Sequence, residues 1–447
     1  MDSSTVDNVN SFHVRHVAVA RFFSAAFFLF PVNVLKSVRW MCLPVNPGRR
    51  KIAHAEPILS LLCFVVVVSC ESKGIPVNSK QLATGVFYHS VHLKEGPWSV
   101  HMLELDLPRA WKAGVRLRTV RPGPAGAGLA RTSRMATDAV AAINGGFFYD
   151  GSPSGLQISK GELVEGPRQQ TAFAISSDGK PMVAVFSAQA GLITQSGKLL
   201  PILLFNRPPV TNGFTYFNQF VPSTLDSVKS DIGFQLQTLN EQSVINDTVQ
   251  ARVLQVRRKG WPLKLTSDQL LVAGGQNDWH ANDVVAGDTV QLFCLLPPAV
   301  SGIDEALGGG PRIIRNGYPS VEYQRENLAR EFAEQRHPRT AVGYSKDGHF
   351  LFLITVDGRQ PGYSVGMSLD ELAYLMARQL HEFNSSGLNA HQALNLDGGG
   401  STTMVVGNQV VNRPSDQTGE REVANALIVV LSTVAEIEPF NAANSSM

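Results

Sequence analysis

The sequence has few cysteines and no pattern by which they could hold a metal or brace a fold. Its four cysteines are Cys42, Cys63, Cys70 and Cys294, and only Cys294 lies in the long C-terminal body of the chain. A single cysteine cannot form a disulfide there, and its apolar neighbours predict a small buried side chain. No cluster of His, Cys and Asp has the spacing of a metal site. The sequence therefore indicates neither a metal nor another cofactor.

The sequence also has no large excess of basic or of acidic residues. The chain has 39 basic and 37 acidic residues, which gives a formal net charge of +2. This balance argues against a nucleic-acid partner, since such proteins usually carry a large basic excess. No glycine-rich segment has the ending of a P-loop or the spacing of a dinucleotide fingerprint, and no Gly-x-Ser-x-Gly elbow occurs. Nothing in the sequence indicates an obligate protein partner.

The most apolar run of the N-terminal region is too short to cross a membrane comfortably. Arg49-Arg50-Lys51 precede the run Ile58–Val68, which Ser69-Cys70 follow. A basic start, a short apolar stretch and a small residue form a secretory signal, whereas a spanning helix needs about twenty residues. Val67-Val68-Ser69-Cys70 resembles a bacterial lipobox, which predicts lipidation of Cys70 and a membrane anchor of acyl chains. An ordinary cleaved signal or a short anchor are the alternatives.

The rest of the chain divides around this segment. A signal does not normally begin so far inside a chain, so the first residues are interpreted as an extension, with Met41 as a conventional start. The predicted divisions are an unfolded or wrongly assigned extension at 1–48, a signal and lipoprotein segment at 49–70, a polar tether at 71–84, one folded domain at 85–432 and a flexible tail at 433–447.

Strand-like runs separated by turn clusters fill the body, which predicts an α+β fold with a strand-rich mixed sheet. The segments Trp98–Leu107 and Ala139–Ile143 are examples of these strands. One long helix is predicted at Ser368–Asn384. Ser368 is a good N-cap, and Glu371 completes a capping box.

This helix connects two strands that each end in an aspartate. Phe350–Val356 is followed by Asp357, and Ala393–Leu396 is followed by Asp397. A strand–helix–strand crossover near the C-terminus usually makes the two strands parallel. Both aspartates would then leave the same edge of the sheet, where open α/β sheets bind ligands.

Glycine-rich turns and arginines beside turns are the next candidates for ligand binding. Glycines let a backbone approach a ligand, and successive N–H groups can hold an anion, although plain turns use glycine as well. Arginine donates bidentately to phosphate oxygens, although a solvated surface position is an equal alternative for each one. Glycoside cleavage needs a carboxylate at the sugar, and an Asp-Gly pair can also be a simple turn.

Taken together, these segments resemble the phosphodiester glycosidase family. The resemblance rests on motifs along nearly the whole body: 142–148, 206–208, 286–290, 306–314, 336–343, 355–359 and 394–404. It implies hydrolysis of the bond between a sugar's anomeric carbon and a phosphodiester oxygen. The cysteine-rich and C-terminal membrane segments of the animal members are lacking, so we expect a bacterial relative in the cell envelope, at a periplasmic or outer-membrane face. Its expected partners are a phosphodiester-linked carbohydrate and, through the lipid anchor, the membrane.

The resemblance and the residue types together give the candidate site. Asp397 is the first choice for the catalytic carboxylate, followed by Asp357 and Glu305. The candidates for binding substrate or phosphate are Asn144, Gly145, Arg207, Gly309, Gly310, Arg336, His337, Arg339, Thr340, Arg359, Gly399, Ser401 and Thr402. Two other functions stay open: a phosphodiesterase that cleaves on the phosphorus side, and a non-catalytic lipoprotein that binds envelope glycans.

Overall fold

The computed structural model describes residues 76–122, 128–209, 213–221, 225, 227–239, 244–258, 260–262, 265–274, 279–298 and 302–432. The predicted extension at 1–48, the signal at 49–70 with Cys70, and the tail at 433–447 lie outside these residues. The described residues belong to one folded unit, Glu71–Met447.

Within the described residues, most strands form four larger sheets, one of them a closed barrel. The main sheet has the order Val77–Ala83, Val86–Leu93, Trp98–Asp106, Phe350–Val356, Arg339–Tyr344, Gln392–Asn395, Arg312–Arg315 and Tyr318–Pro319. A second sheet has the order Gln409–Val410, Met404–Val406, Ala141–Asn144, Ala426–Leu431 and Val115–Val120. A third has the order Glu162–Glu165, Gln157–Ser159, Ile303–Gly308, Thr171–Ser176 and Pro181–Val185.

The remaining described elements are the barrel, the two-stranded pairs and the helices. The barrel has the order Gln189–Ile193, Leu199–Phe205, Phe214–Phe217, Gln269–Gly274, Ile232–Thr238, Thr248–Arg257 and Thr289–Leu295. Two-stranded pairs join Ser227–Val228 with Trp261–Pro262, Glu422–Val423 with Ala130–Arg131, and Phe148–Tyr149 with Ser152–Pro153. The helices are Leu107–Lys112, Thr132–Met135, Arg330–Glu334 and Leu369–Tyr374, with short helical turns at Trp279–Asp283, Leu375–Gln379, Leu380–Glu382 and Gly399–Ser401. The fold is α+β and mostly β, as predicted.

The main sheet is buried on both faces, which explains the continuous apolar run at 350–356. Phe352 and Ile354 pack on the face that the long helix covers. Leu351 and Leu353 point to the opposite face, against the second and third sheets. Because successive side chains of a strand alternate between faces, a strand buried on both sides is apolar at most positions.

The predicted helix begins where its capping box indicates. The Ser368 hydroxyl accepts from the Glu371 backbone N–H at 3.2 Å, and the Glu371 carboxylate accepts from the Ser368 N–H at 2.9 Å. The helix is interrupted by a wider turn at Leu375–Gln379 and ends with Leu380–Glu382, before the predicted end at Asn384. Its buried side chains, Leu369, Leu372 and Met376 among them, cover the main sheet.

The closed barrel at 189–295 was not predicted, although its strands alternate as expected for a two-sided sheet. Leu200 and Ile202 point inward from one strand, while Leu199 and Leu203 are about half exposed. The interior also contains Cys294, which is 1% exposed. The prediction of a small buried cysteine is therefore confirmed.

The predicted tether at 71–84 differs from the structure. Val77–Ala83 is an edge strand of the main sheet, antiparallel to Val86–Leu93, so the folded part begins before residue 85. Most side chains of this strand are polar and exposed because the strand lies at the sheet edge, and this polarity imitates a linker. Across the described ranges, no helix combines the length and the apolar character needed to cross a membrane.

Candidate active site

Two aspartates share one edge of the main sheet. Phe350–Val356 and Gln392–Asn395 both pair antiparallel with Arg339–Tyr344, which lies between them, so the two outer strands are parallel. Asp357 and Asp397 follow the carboxyl ends of the outer strands, and Arg339 begins the central strand at the same edge. The predicted parallel crossover and the shared edge are thus confirmed.

Asp397 is half-buried at this edge and its backbone is fixed on two sides. Its N–H donates to the Gly145 carbonyl at 3.2 Å, and its carbonyl accepts from the Asn144 amide at 2.7 Å. Burial raises the pKa of Asp397 to about 6, against the opposing effects of the Ser401 hydroxyl, the Gly398 N–H and Arg421. The carboxyl therefore titrates close to the pH range in which acid–base catalysis is effective.

An exposed guanidinium lies on one side of the turn that follows Asp397. A β-carbon at Gly399 would lie 3.1 Å from Nη2 of Arg359, so the guanidinium lies close against this turn. The same Nη2 lies 3.3 Å from Nδ1 of His337. Burial and the charges of Arg339 and Arg359 lower the pKa of His337, which keeps its ring neutral at neutral pH and able to accept a hydrogen bond.

A second guanidinium lies on the other side of the turn. Arg421 donates to both carboxylate oxygens of Asp416, at 2.8 and 3.1 Å. A β-carbon at Gly400 would lie 2.3 Å from Arg421 Nη2, so this ion pair covers the backbone of the turn. The turn that follows Asp397 thus has Arg359, with His337, against Gly399 and Arg421 against Gly400, and Arg421 also acts on the Asp397 carboxyl.

Arg339 lies under this edge rather than on it. It is 2% exposed, and it donates to the carbonyls of Met367, Phe332 and Gln335 at 2.8–2.9 Å. Burial and the nearby Arg359 lower its pKa to about 10, so it stays charged at neutral pH. Arg339, which was predicted to bind phosphate, is therefore buried. It places a positive charge below the edge and fixes the loop that contains His337.

Asp357 is fully buried beside the edge. One carboxylate oxygen accepts from the Asn412 amide and the Arg413 N–H, both at 3.0 Å. The other accepts from the Tyr363 hydroxyl at 3.3 Å and lies 3.5 Å from Nε2 of His101. These contacts position the 412–413 segment and Tyr363 around the Asp357 carboxylate.

The buried polar residues predicted to bind substrate instead connect the sheets. The Asn144 carbonyl oxygen accepts from the Thr340 hydroxyl at 2.7 Å and from the Thr403 N–H at 3.1 Å. Thr340 also lies 3.4 Å from the Thr402 hydroxyl. These contacts hold the two ends of the Asp397 turn. Of the residues predicted to bind substrate, Ser401 faces the Asp397 carboxyl and lowers its pKa.

The predicted anion nests at the glycine turns are not available as predicted. Gly309 N–H donates to the Thr171 carbonyl, Gly310 N–H to the Asn395 carbonyl, and Gly399 N–H to the Pro338 carbonyl. Gly145 is required by packing, because a β-carbon there would lie 2.1 Å from Oδ1 of Asn425. These glycines allow backbones to cross closely, and their N–H groups are already bonded.

Glu305, the third predicted catalytic carboxylate, is enclosed by the protein. It is 0% exposed, and it accepts from the Thr119 N–H at 2.7 Å, the Thr119 hydroxyl at 2.8 Å and the Lys160 N–H at 3.0 Å. Burial raises its pKa to about 7. No substrate can reach a carboxylate enclosed in this way.

Two further arginines have protein partners. Arg336 forms an ion pair with Glu371 and lies over the Trp98 ring, which explains its position in structural terms. Arg207 donates to Glu165 and, at 3.2 Å, to the Pro153 carbonyl. It lines a cavity of about 370 Å³ to which neither Asp397 nor Arg359 contributes.

Several residues that contact the two aspartates or the turn after Asp397 were missed in the sequence. Arg421, Asp416, Arg413 and Asn412 all belong to one polar segment after the strand Gln409–Val410. A signal was present, because the triplet Asn-Arg-Pro that was noted at 206–208 occurs again at 412–414. Of the residues described, no group of three or more His, Cys, Asp or Glu side chains is arranged to hold a metal ion.

Comparison with known proteins identifies the family of the segment that contains this edge. The model of the phosphodiester glycosidase family matches residues 235–430, which include His337, Asp357, Arg359, Asp397 and Arg421. This part of the chain matches the phosphodiester glycosidase family, and the resemblance seen in the sequence is confirmed.

Two solved structures share the fold, and a third matches with a lower TM-score. A protein from Synechocystis is 24% identical with a TM-score of 0.61, over 80% of this chain and 64% of its own, so this chain spans less than two thirds of that protein. A protein of Burkholderia pseudomallei described as exported is 20% identical with a TM-score of 0.57, over 79% and 96%. The catalytic domain of zebrafish N-acetylglucosamine-1-phosphodiester alpha-N-acetylglucosaminidase, auto-inhibited by its pro-peptide, is 18% identical with a TM-score of 0.41, over 80% and 85%. No curated protein matches the chain.

Proposed function

We propose that the protein hydrolyses a sugar-1-phosphodiester at the bond between the anomeric carbon and the ester oxygen, which releases a free sugar and a phosphomonoester. Membership of residues 235–430 in the phosphodiester glycosidase family supports a hydrolase of this class. The observation on which the finer proposal rests is the half-buried Asp397 carboxyl, followed by a turn against which Arg359, with His337, and Arg421 lie.

Arg359 is proposed to bind the phosphate. Arg359 is exposed, and its Nη2 lies within hydrogen-bond distance of the His337 ring rather than of a carboxylate. Charge-assisted bonds from guanidinium to phosphate oxygens are strong, and the buried charge of Arg339 adds to the positive potential below. A phosphate monoester stabilised in this way is a good leaving group, so the reaction needs little proton donation.

Asp397 is proposed to act at the anomeric carbon. With a pKa of about 6, the carboxyl is mostly ionised at neutral pH. As a base it takes a proton from water while the water oxygen bonds to the anomeric carbon and the electrons of the broken bond move to the phosphate oxygen. As a nucleophile it forms the bond to the anomeric carbon itself, and water later releases the sugar.

Hydrolysis in heavy-oxygen water tests which bond is cut. A sugar-1-phosphodiester incubated with the protein is expected to give free sugar that carries the heavy oxygen and an unlabelled phosphomonoester. Label in the phosphate, with sugar-1-phosphate as a product, would identify a phosphodiesterase that cleaves on the phosphorus side. Binding of the diester without any product would identify a non-catalytic binding protein.

We also propose that the chain is exported and anchored by acyl chains at Cys70. The sequence of the segment 49–70 supports this, and Cys70 lies outside the described residues. In a bacterial host the wild-type chain is expected in the membrane fraction, and Cys70→Ala in the soluble fraction. Equal distribution of the two would contradict the anchor.

A further inference from the structure

A serine, a histidine and a glutamate form a hydrogen-bonded row at the outer edge of the main sheet. The Ser79 hydroxyl lies 2.8 Å from Nδ1 of His89, and Nε2 of His89 lies 2.9 Å from Oε2 of Glu104. Ser79 is exposed on the edge strand Val77–Ala83, whereas His89 is 2% and Glu104 0% exposed. The row thus runs from a buried carboxylate to a hydroxyl that solvent can reach.

These residues lie away from the edge that contains Asp397. In the main sheet, Val77–Ala83 is three strands from Phe350–Val356, the strand that Asp357 follows. Neighbouring strands are about 4.8 Å apart, so Ser79 lies roughly 14 Å across the sheet from that strand. The proposed chemistry at Asp397 uses none of the three side chains of the row.

The protein holds the Glu104 carboxylate in its charged form. The Ser385 N–H donates to Oε2 and the Ser386 N–H to Oε1, both at 2.8 Å. Burial acts to raise the pKa of Glu104, but its bonds with His89, Ser385 and Ser386 lower it to about 2. A carboxylate only accepts hydrogen bonds, so Nε2 of His89 is the nitrogen that carries a proton.

This tautomer leaves Nδ1 of His89 as an acceptor for Ser79. In the neutral ring this nitrogen has a free lone pair, and the Ser79 hydroxyl donates to it. A nucleophile, a base in hydrogen-bond contact and a group that orients the base are the three parts of an activated serine. The two ring nitrogens exchange the roles that they have in the Ser-His-Asp template, where Nε2 faces the serine, but either nitrogen of a neutral imidazole can accept a proton.

The edge strand also supplies a donor for a carbonyl oxygen. Val77–Ala83 is the outermost strand of the main sheet and pairs on one side with Val86–Leu93. The N–H groups of successive residues in an antiparallel strand point to opposite sides, so the N–H of either Ser79 or Lys80 points away from the sheet. An outward N–H beside the nucleophile can bond to the oxygen that becomes negative during acyl transfer.

We propose that Ser79 is a nucleophile that cleaves carboxylic esters, activated by His89, which Glu104 orients. The Ser79 Oγ forms a bond to the ester carbonyl carbon while its proton moves to Nδ1 of His89. The C–O bond to the alcohol then breaks, and the leaving oxygen takes that proton. Water repeats both steps on the acyl-serine, which releases a carboxylic acid and restores Ser79. This role does not depend on the proposed function, because it uses other residues and another class of substrate.

Labelling of the full chain with a fluorophosphonate tests the nucleophile. The probe forms a bond between phosphorus and a serine oxygen as fluoride leaves, and peptide mass spectrometry gives the rate at each serine. Ser79 is expected to react at least about a hundredfold faster than Ser187, an exposed serine that serves as the internal control, since a general base contributes about 100- to 10,000-fold. Equal rates at the two serines of the wild-type chain would overturn the proposal.

The orienting role of Glu104 has a separate test. In Glu104→Gln the side-chain amide can donate to Nε2, which moves the ring proton to Nδ1 and removes the acceptor that faces Ser79. Nitrogen-15 NMR of His89 is expected to show the proton on Nε2 in wild type and on Nδ1 in the variant, with labelling of Ser79 at least about a hundredfold slower. Labelling at the wild-type rate in a variant with the proton on Nδ1 would overturn the role of His89 as the base.

Ester turnover tests the reaction itself. The probe is p-nitrophenyl acetate, and release of nitrophenolate gives the rate. Ser79→Ala is expected to lower kcat/KM at least about tenfold, and Ser187→Ala to leave it unchanged. Because Ser79 is exposed, its alanine variant should fold, which circular dichroism checks. A Ser79→Ala rate equal to that of wild type would overturn the esterase activity.

Discussion

The sheet edge at Asp397 and the cavity lined by Glu165 and Arg207 both place arginines beside carboxylates. The two regions use their charges differently. At the cavity, Arg207 is bonded to Glu165 and to a backbone carbonyl. At the edge, Arg359 contacts the neutral ring of His337, and Arg413 lies over the Tyr363 ring. The first arrangement holds the protein together, and the second leaves cationic charge for a ligand.

This difference separates roles that the sequence could not separate. Arg207 and Arg359 both stand beside turns, so both were candidates for binding phosphate. A guanidinium that already has a carboxylate partner gains little from a phosphate, because the existing charge-assisted bond must be lost. We therefore expect substitutions at the edge to impair bond cleavage more than substitutions at the cavity that Arg207 lines.

The largest effect is expected from Asp397→Asn. Removal of the carboxylate that acts at the anomeric carbon should lower kcat by about 100- to 10,000-fold, the usual contribution of general acid–base catalysis. The measurement is turnover of a sugar-1-phosphodiester, with circular dichroism to check the fold. Glu305→Gln is the matched control, since this enclosed carboxylate should not be needed for turnover. Near-wild-type turnover of a folded Asp397→Asn protein would refute the assignment.

A smaller loss is expected from Arg359→Ala. A hydrogen bond to a charged group contributes roughly 1.5–3 kcal/mol, so kcat/KM should fall about ten- to a hundredfold. Arg359→Lys should recover part of this loss, since it keeps the charge without the planar fork. Arg109→Ala, at an exposed arginine of the helix Leu107–Lys112, is the comparison. If both alanine variants lose the same activity, Arg359 has no specific role.

The same comparison shows which features the sequence could predict. Local rules succeeded: the capping box placed Ser368, and the apolar run placed Phe350–Val356 at its observed bounds. The shared edge of Asp357 and Asp397 followed from the crossover rule, which depends only on the order of strand, helix and strand. These predictions required no knowledge of distant pairings.

The failures have a common physical cause. A glycine required by a crossing backbone, as at Gly309, and a glycine that opens a ligand nest look alike in sequence. Burial of Glu305 and Asp357 depends on strands far away in the chain, so exposed and enclosed carboxylates could not be told apart. The barrel at 189–295 closes through long-range pairings that its short strands do not encode individually.

Next in size is an effect of Asp397→Asn on stability. The folded pKa of about 6 lies above the ordinary 3.8, so protonation favours the folded state. The cost of the buried charge is absent below about pH 4, grows as the pH rises, and is complete above about pH 6. The variant should therefore exceed wild type in unfolding free energy by roughly 1–3 kcal/mol at neutral pH, and the gain should shrink toward pH 4. Urea unfolding at both pH values measures it, and a gain that does not depend on pH would contradict the cause.

The smallest effect is expected in the cavity, from Glu165→Gln. Burial raises the pKa of Glu165 to about 7, against the lowering by Arg207 and Arg121. Wild type should thus lose stability relative to the variant as the pH rises from about 4.5 to about 7, and match it near pH 4. The net gain should stay near 1 kcal/mol or less, because Arg207 then lacks its countercharge. Urea unfolding across this range measures the difference, with Glu162→Gln on the same strand as control.

A large loss of kcat in Glu165→Gln, comparable to that of Asp397→Asn, would contradict the separation of roles, because the cavity would then take part in bond cleavage.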